Sequence, residues 1–153
     1  MNISVHIQEG PLPECRRARA DCGDAGAAGA VVCFEGVVRA SENGRPITAL
    51  DYEVYEPMAT RELQRVAEDV LRSCGLLAVS VVHSRGRVPV GQCSFRLHVA
   101  GAHRAEALRA VAVFIDRLKQ DVPIWKTAVY KSTAETDTPS AGQSAPQPGC
   151  ERP

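Results

Sequence analysis

Lysine is scarce in this chain. Of its eighteen basic side chains fifteen are Arg and three are Lys, at positions 119, 126 and 131. Lys119 and Lys126 stand seven residues apart, on either side of Pro123. A primary amine can give and take a proton, or act as a nucleophile, once desolvation or a second ammonium lowers its pKa. Ordinary solvated lysines at that spacing are the alternative. Arg39 closes a strongly apolar segment where a loop begins, and strand ends are common places for ligand-binding side chains. Two ammonium groups brought close depress each other's pKa, which prepares an amine for proton transfer at neutral pH; for Arg39 an ordinary exposed side chain is the alternative.

A helical wheel at about 100° per residue adds geometry. With Leu108 at the origin, Ala112 falls at about 40°, Ile115 at about 340°, Lys119 at about 20° and Arg104 at about 320°. Lys119 is therefore expected on the apolar face, where its ammonium either loses solvation or snorkels outward and complements the helix dipole. Arg104 and Lys119 are fifteen residues apart, roughly 22 Å along a continuous helix. A pocket using both needs Arg104 from a second protomer. Lys126, on Ile124–Lys126 beyond Pro123, converges on Lys119 if that segment turns back along the helix end.

The elements that must position these groups are readable as periodicities. Ile3, Val5 and Ile7 alternate as a half-buried strand, ended by Gly10-Pro11-Leu12-Pro13. A short helix is expected over Pro13–Cys22, then a loose stretch to Gly29. Ala30–Phe34 with Val37-Val38 gives the strongest strand signal, with Gly36 as a bulge. Asn43-Gly44 marks a turn, and Leu50–Tyr55 is expected to pair as a hairpin with the strand before it. Leu63, Val66, Ala67, Val70, Leu71 and Cys74 recur at helical spacing, ended by Gly75. Val79–His83 and Ser94–Val99 read as strands joined by a loop over Arg85–Gln92. A second helix runs over about 103–120, with Leu108, Val111, Ala112, Ile115 and Leu118 on its apolar face, stopped by Pro123. Ile124–Tyr130 is a last strand. Ser132–Pro153, rich in Ser, Thr, Pro and Gly, is expected to be disordered. The organisation is one domain over 1–131 and a tail over 132–153.

Length and composition fit that plan. The 153 residues suit one domain, and 44% apolar with 24% charged residues is ordinary for a globular protein. The formal charge is zero, which argues against a uniformly basic nucleic-acid binder. The charge is uneven: residues 1–82 hold eight Arg against twelve acids, whereas residues 83–130 hold eight cations against three acids. Basicity gathered in one segment points to a local anion site. No export signal or membrane-length apolar run is read, so a cytoplasmic location is expected. The six Cys contain no CxxC pair, and bridges are not expected. Cys33, Cys74 and Cys93 sit in apolar periodicities and are expected as small core residues. His83, His98 and His103 lack short spacing to Cys, so no metal site is expected.

Five blocks, met in order, resemble one known family. They are Gly29–Arg39, Tyr52–Ala59, His83–Gly86, Gly101–Arg104 and Leu118–Lys126, and together they resemble the large, catalytic subunit of molybdopterin synthase. The resemblance implies an α+β chain of the α/β hammerhead fold, with a mixed or antiparallel sheet and two main helices, homodimeric within a heterotetramer. It implies sulfur transfer from the Gly-Gly thiocarboxylate of a small ubiquitin-like carrier subunit to cyclic pyranopterin monophosphate, forming the molybdopterin dithiolene. Carried over by position, Lys119 lies beside thiocarboxylate and pterin and Lys126 assists proton transfer. Arg39, with His103 and Arg104 of the neighbouring protomer, holds phosphate and pterin; Val37, Val38, Thr127 and Ala128 complete the substrate-binding set. No resident cofactor or metal is implied, and no membrane or nucleic-acid partner.

The chain departs from the family pattern in three places. An acidic residue usual two positions after the second Lys is Ala128 here. The loop after Arg39 reads Ala40-Ser41-Glu42-Asn43, without the usual His/Asn-rich pattern, and the family's ordered C-terminal segment gives way to the Pro/Ser-rich tail. Two other readings stand beside sulfur transfer by lysine: a non-catalytic dimeric α+β module binding a small phosphorylated anion, and a Cys-based sulfurtransferase using Cys33, Cys74 or Cys93.

Overall fold

The structure, a computed structural model, describes residues 2–15 and 26–132. In chain order these form β1 (Asn2–Glu9), β2 (Ala30–Val37), β3 (Ser41–Glu42), β4 (Arg45–Val54), α1 (Met58–Cys74), β5 (Leu76–Pro89), β6 (Cys93–Gly101), α2 (Arg104–Asp121) and β7 (Ile124–Tyr130). The strands join in one sheet of order β2-β6-β5-β4-β3, with β1 parallel to β5 and β7 antiparallel to β4. Apart from the β1–β5 pair, every pairing is antiparallel.

The fourteen-residue β5 sets the architecture. Its first half is flanked by β1 and β6, with Val81 opposite both Val5 and Leu97. Its second half pairs instead with β4, Leu50 opposite Val88 and Asp51 opposite Arg87. The change of partner falls at Gly86, which has a positive φ of 73°. The left-handed conformation selects glycine here; a Cβ would meet only the end of the exposed Glu9 side chain. The Arg87 guanidinium then grips Asp51 through two hydrogen bonds of 3.0 and 2.9 Å.

The main core lies between the two helices and one sheet face. Leu63, Val66, Ala67 and Val70 of α1 meet Val79 and Val81 of β5, Leu97 and Val99 of β6, and Ala107, Ala110 and Phe114 of α2. Phe114 is wholly buried, and burying such a ring stabilises by about 1.5–3 kcal/mol. A smaller cluster of Val38, Ile47, Leu50 and Val88 fills the second lobe, where β4, β7 and the end of β5 meet. Gly75 closes α1 in the left-handed conformation, φ 69°. Glu106 accepts the His103 backbone N–H at the start of α2. Among the described residues no helix is long and apolar enough to cross a membrane.

Several expectations change. Strand β4 begins at Arg45 and pairs with the short β3 through the Asn43-Gly44 turn, not with β2; its long neighbours are β5 and β7. Most of the loop expected over Arg85–Gln92 is strand, because β4 supplies a hydrogen-bonding partner as far as Pro89. The buried face of α2 is Ala107, Ala110 and Phe114; Leu108 is 60% exposed and Ala112 exposed. Cys33 is also exposed, whereas Cys74 is buried and Cys93 half-buried. Pro13–Cys15 carry no regular structure, and the rest of the helix expected over Pro13–Cys22 lies outside the described residues. So does the expected tail beyond residue 132.

Candidate active site

A cavity of about 390 Å³ opens where the two lobes meet. Phe34, Leu50, Phe95, Ile115, Leu118 and Ile124 form its apolar walls, and its polar groups are Arg39, Glu42, Tyr52, His83, Ser94, Lys119 and Lys126. Each reaches it for a local reason. Lys119 stands in the last turn of α2. Pro123 then ends the helix, and β7 runs back along β4 with Lys126 opposite Tyr52. Arg39 follows the Gly36/Val37 irregularity at the end of β2, and the β3–β4 turn brings Glu42 over the same opening.

By formal charge, three basic side chains against one carboxylate give this cavity an excess of two positive charges. Lys126 Nζ donates a 2.6 Å hydrogen bond to Glu42, and Arg39 lies 3.6 Å from the other Glu42 oxygen. The Lys126 hydrogen bond, helped by Arg39, holds the Glu42 carboxyl below its ordinary range. His83 is buried beneath Tyr52 and Phe95, with ring centroids 5.3 and 5.6 Å away. Burial lowers its pKa, so the ring is neutral at pH 7. Its Nδ1 lies 2.7 Å from the Ser84 carbonyl; in the neutral ring this nitrogen carries the proton and Nε2 is left as an acceptor. Ser94 Oγ donates to the Gly36 carbonyl and takes the Tyr52 hydroxyl at 2.9 Å.

The structure brings Val37, Arg39, Lys119 and Lys126 to this one cavity. Val38 lies behind it in the smaller core cluster. Thr127 and Ala128 continue β7 past Lys126 without lining the cavity; Ala128 packs against the Val38–Leu50 cluster. His103 and Arg104 sit at the opposite end of a continuous α2, away from the cavity of their own chain. The wheel centred on Leu108 set the core face one step too far round. Lys119 is exposed at the rim and not drawn into the core.

Sequence reasoning missed Glu42, Tyr52, His83 and Ser94. Tyr52 and His83 fell within segments already noted for their resemblance, and Glu42 stands three residues after Arg39; nothing in the sequence signals Ser94. Among the described cysteines, none lines the cavity. Burial, with Cys15 and Glu35 nearby, pushes the Cys33 thiol up to about 11. It is therefore protonated at neutral pH and a poor nucleophile.

Among the described residues, seven strands bent around a long β5, two helices on one face and a cationic cavity between the lobes define an α+β protein of the α/β hammerhead class. The family model described as MoaE protein matches residues 10–121, and the chain belongs to this family. It is 38% identical over 106 residues to the human molybdopterin synthase catalytic subunit, covering 69% of this chain and 56% of the relative. It spans about half the length of the mammalian relatives it matches, 54–57%. The crystal structure of molybdopterin synthase from Staphylococcus aureus superposes with a TM-score of 0.71 at 30% identity, covering 80% of this chain and 90% of that one. A complex of subunits 1 and 2 of molybdopterin-converting factor from Helicobacter pylori gives a TM-score of 0.67 at 28% identity, covering 85% and 91%.

Proposed function

We propose that this chain is the catalytic subunit of a molybdopterin synthase. It takes sulfur from the thiocarboxylated C-terminus of a small ubiquitin-like carrier subunit and passes it to cyclic pyranopterin monophosphate, forming the dithiolene. The observation that carries the reading is the convergence of Lys119, Lys126 and Arg39 on one cavity from three separate elements. The reaction places negative charge there twice, on the substrate phosphate and on the tetrahedral species formed when sulfur leaves its acyl carrier. Fixed cations beside apolar walls favour both.

Each residue has a role in this account. Lys119 faces the reacting thiocarboxylate and pterin. Lys126, oriented by Glu42, gives and takes protons, and Arg39 binds the phosphate. Glu42 supplies from β3 the carboxylate that the family pattern places at position 128, so Ala128 is free to pack. Val37 lines the cavity that receives the carrier tail, with Val38 packed behind it, and Thr127 and Ala128 continue the strand that holds Lys126. Across a homodimer, His103 and Arg104 of one protomer complete the anion site of the other, since α2 is too long for one chain to bring Arg104 to Lys119. Two carriers on such a dimer make a heterotetramer, working in the cytoplasm. No resident cofactor enters the scheme.

Reconstitution tests it. The full chain, mixed with a thiocarboxylated carrier and the cyclic pterin, is expected to form dithiolene. Intact pterin binding with no turnover would support the non-catalytic module instead.

A further inference from the structure

On the sheet face away from the helices, three potential metal ligands meet that the sulfur-transfer site does not use. Cys33 of β2 and His98 of β6 are direct cross-strand partners, and Cys33 Sγ lies 3.0 Å from His98 Nε2. Cys15 Sγ lies 3.5 Å from the same nitrogen. All three donor atoms fall within 4.8 Å of one another.

The segment carrying Cys15 is fastened to this face. Leu12 N–H donates to the Cys93 carbonyl at 2.8 Å, forming an isolated bridge. Arg96 Nη2 donates to the Pro13 carbonyl at 2.6 Å, while its Nε holds Glu35, also at 2.6 Å. Glu35 thus offsets the Arg96 charge, so the guanidinium beside the cluster does not leave it strongly cationic. The ring of His98 is buried, which fixes its orientation, whereas both thiols reach solvent.

We propose that Cys15, Cys33 and His98 bind a thiophilic divalent cation, zinc by class, which clasps residues 11–15 to the β2–β6 pair. In a tetrahedral zinc site with Zn–S about 2.3 Å and Zn–N about 2.0 Å, donor atoms stand roughly 3.5–3.8 Å apart. The cluster needs only sub-ångström to ångström adjustments to reach that spacing. Two thiolates and an imidazole form a soft donor set that selects zinc over magnesium or calcium. Binding displaces the two thiol protons to solvent, two thiolates neutralise the ion, and water takes the fourth position. Sequence spacing hid this set, because His98 stands 65 residues from Cys33 and 83 from Cys15, and only strand pairing brings them together.

The test uses the full chain, reduced, freed of metal by chelator dialysis, and titrated with zinc and separately with cobalt(II). One equivalent of zinc per chain and thiolate-to-cobalt charge-transfer absorption are expected. Cys33→Ser and Cys15→Ser, both at exposed positions, should each weaken zinc binding at least about tenfold. Cys93→Ser should leave it unchanged. No zinc uptake, or uptake unaffected by Cys15→Ser and Cys33→Ser, would overturn the proposal. A reduced chain that forms a Cys15–Cys33 disulfide in air but takes up no metal would overturn it equally. Dithiolene formation has no part in these readouts, so the sulfur-transfer reading and this one fail separately.

Discussion

Lys126 and Glu42 are joined by a 2.6 Å hydrogen bond across the mouth of the cationic cavity, linking β7 to the short β3. Glu42 lies at the same time 3.6 Å from Arg39. One carboxylate therefore positions two of the three cations. It also separates their duties: Lys126 is held by a partner, while Lys119 has apolar neighbours in Ile115 and Leu118.

Glu42→Gln keeps the shape and removes the charge. Because the pair is near the surface, folding stability should change by less than about 1 kcal/mol. Turnover should fall several-fold, since Lys126 loses its fixed orientation, and Glu42→Asp should recover part of it. Melting temperature and dithiolene formation measured on the same preparations separate the two effects.

His83 predicts a pH effect with a definite sign. Burial lowers its pKa below the ordinary 6.5, so between that value and the folded value the unfolded chain binds the extra proton. The stabilisation is complete above about pH 6.5 and declines as pH falls toward the folded value. In His83→Gln the decline between about pH 7.5 and about pH 5.5 should be shallower than in the wild type. Equilibrium urea unfolding across that range checks it; identical slopes in the two proteins would remove His83 from the account.

Site sharing across a dimer follows from α2. Arg104→Ala and Lys119→Ala homodimers should both be poorly active. Mixing and re-associating them gives heterodimers with one site that keeps both residues, so activity should rise toward a quarter of wild type on statistical mixing, about half of the dimers carrying one good site of two. A mixture as inactive as its parents would overturn the sharing of one site between protomers.

Much of the fold was legible in the sequence because its signals are local. Alternation marked β1, the bulge at Gly36 appeared where a glycine interrupts an apolar run, Gly75 closed α1, and Pro123 separated α2 from β7. The misreadings have one cause, which is dependence on partners distant in the chain. The span Arg85–Pro89 looks like a loop until β4 is set beside it. Leu108 looks like core until Ala107 and Ala110, small enough for the helix to approach the sheet closely, are seen to form the buried face. Lys119, Lys126 and Arg39, which line one cavity, stand out in the sequence through the scarcity of Lys and through the resemblance of their segments to a known family. Glu42, His83 and Ser94, and the Cys15–Cys33–His98 cluster, depend on pairings between remote segments.

The most direct test of the central claim is dithiolene formation by Lys119→Ala in the reconstituted system, with circular dichroism as the check on folding. Lys119 is exposed at the cavity rim and has no place in the core, so the variant should fold as the wild type does. Its sulfur-transfer rate should fall by roughly 10²–10⁴-fold, the range expected for loss of a positioned acid–base group. A folded Lys119→Ala protein that turns over at close to the wild-type rate would contradict the account.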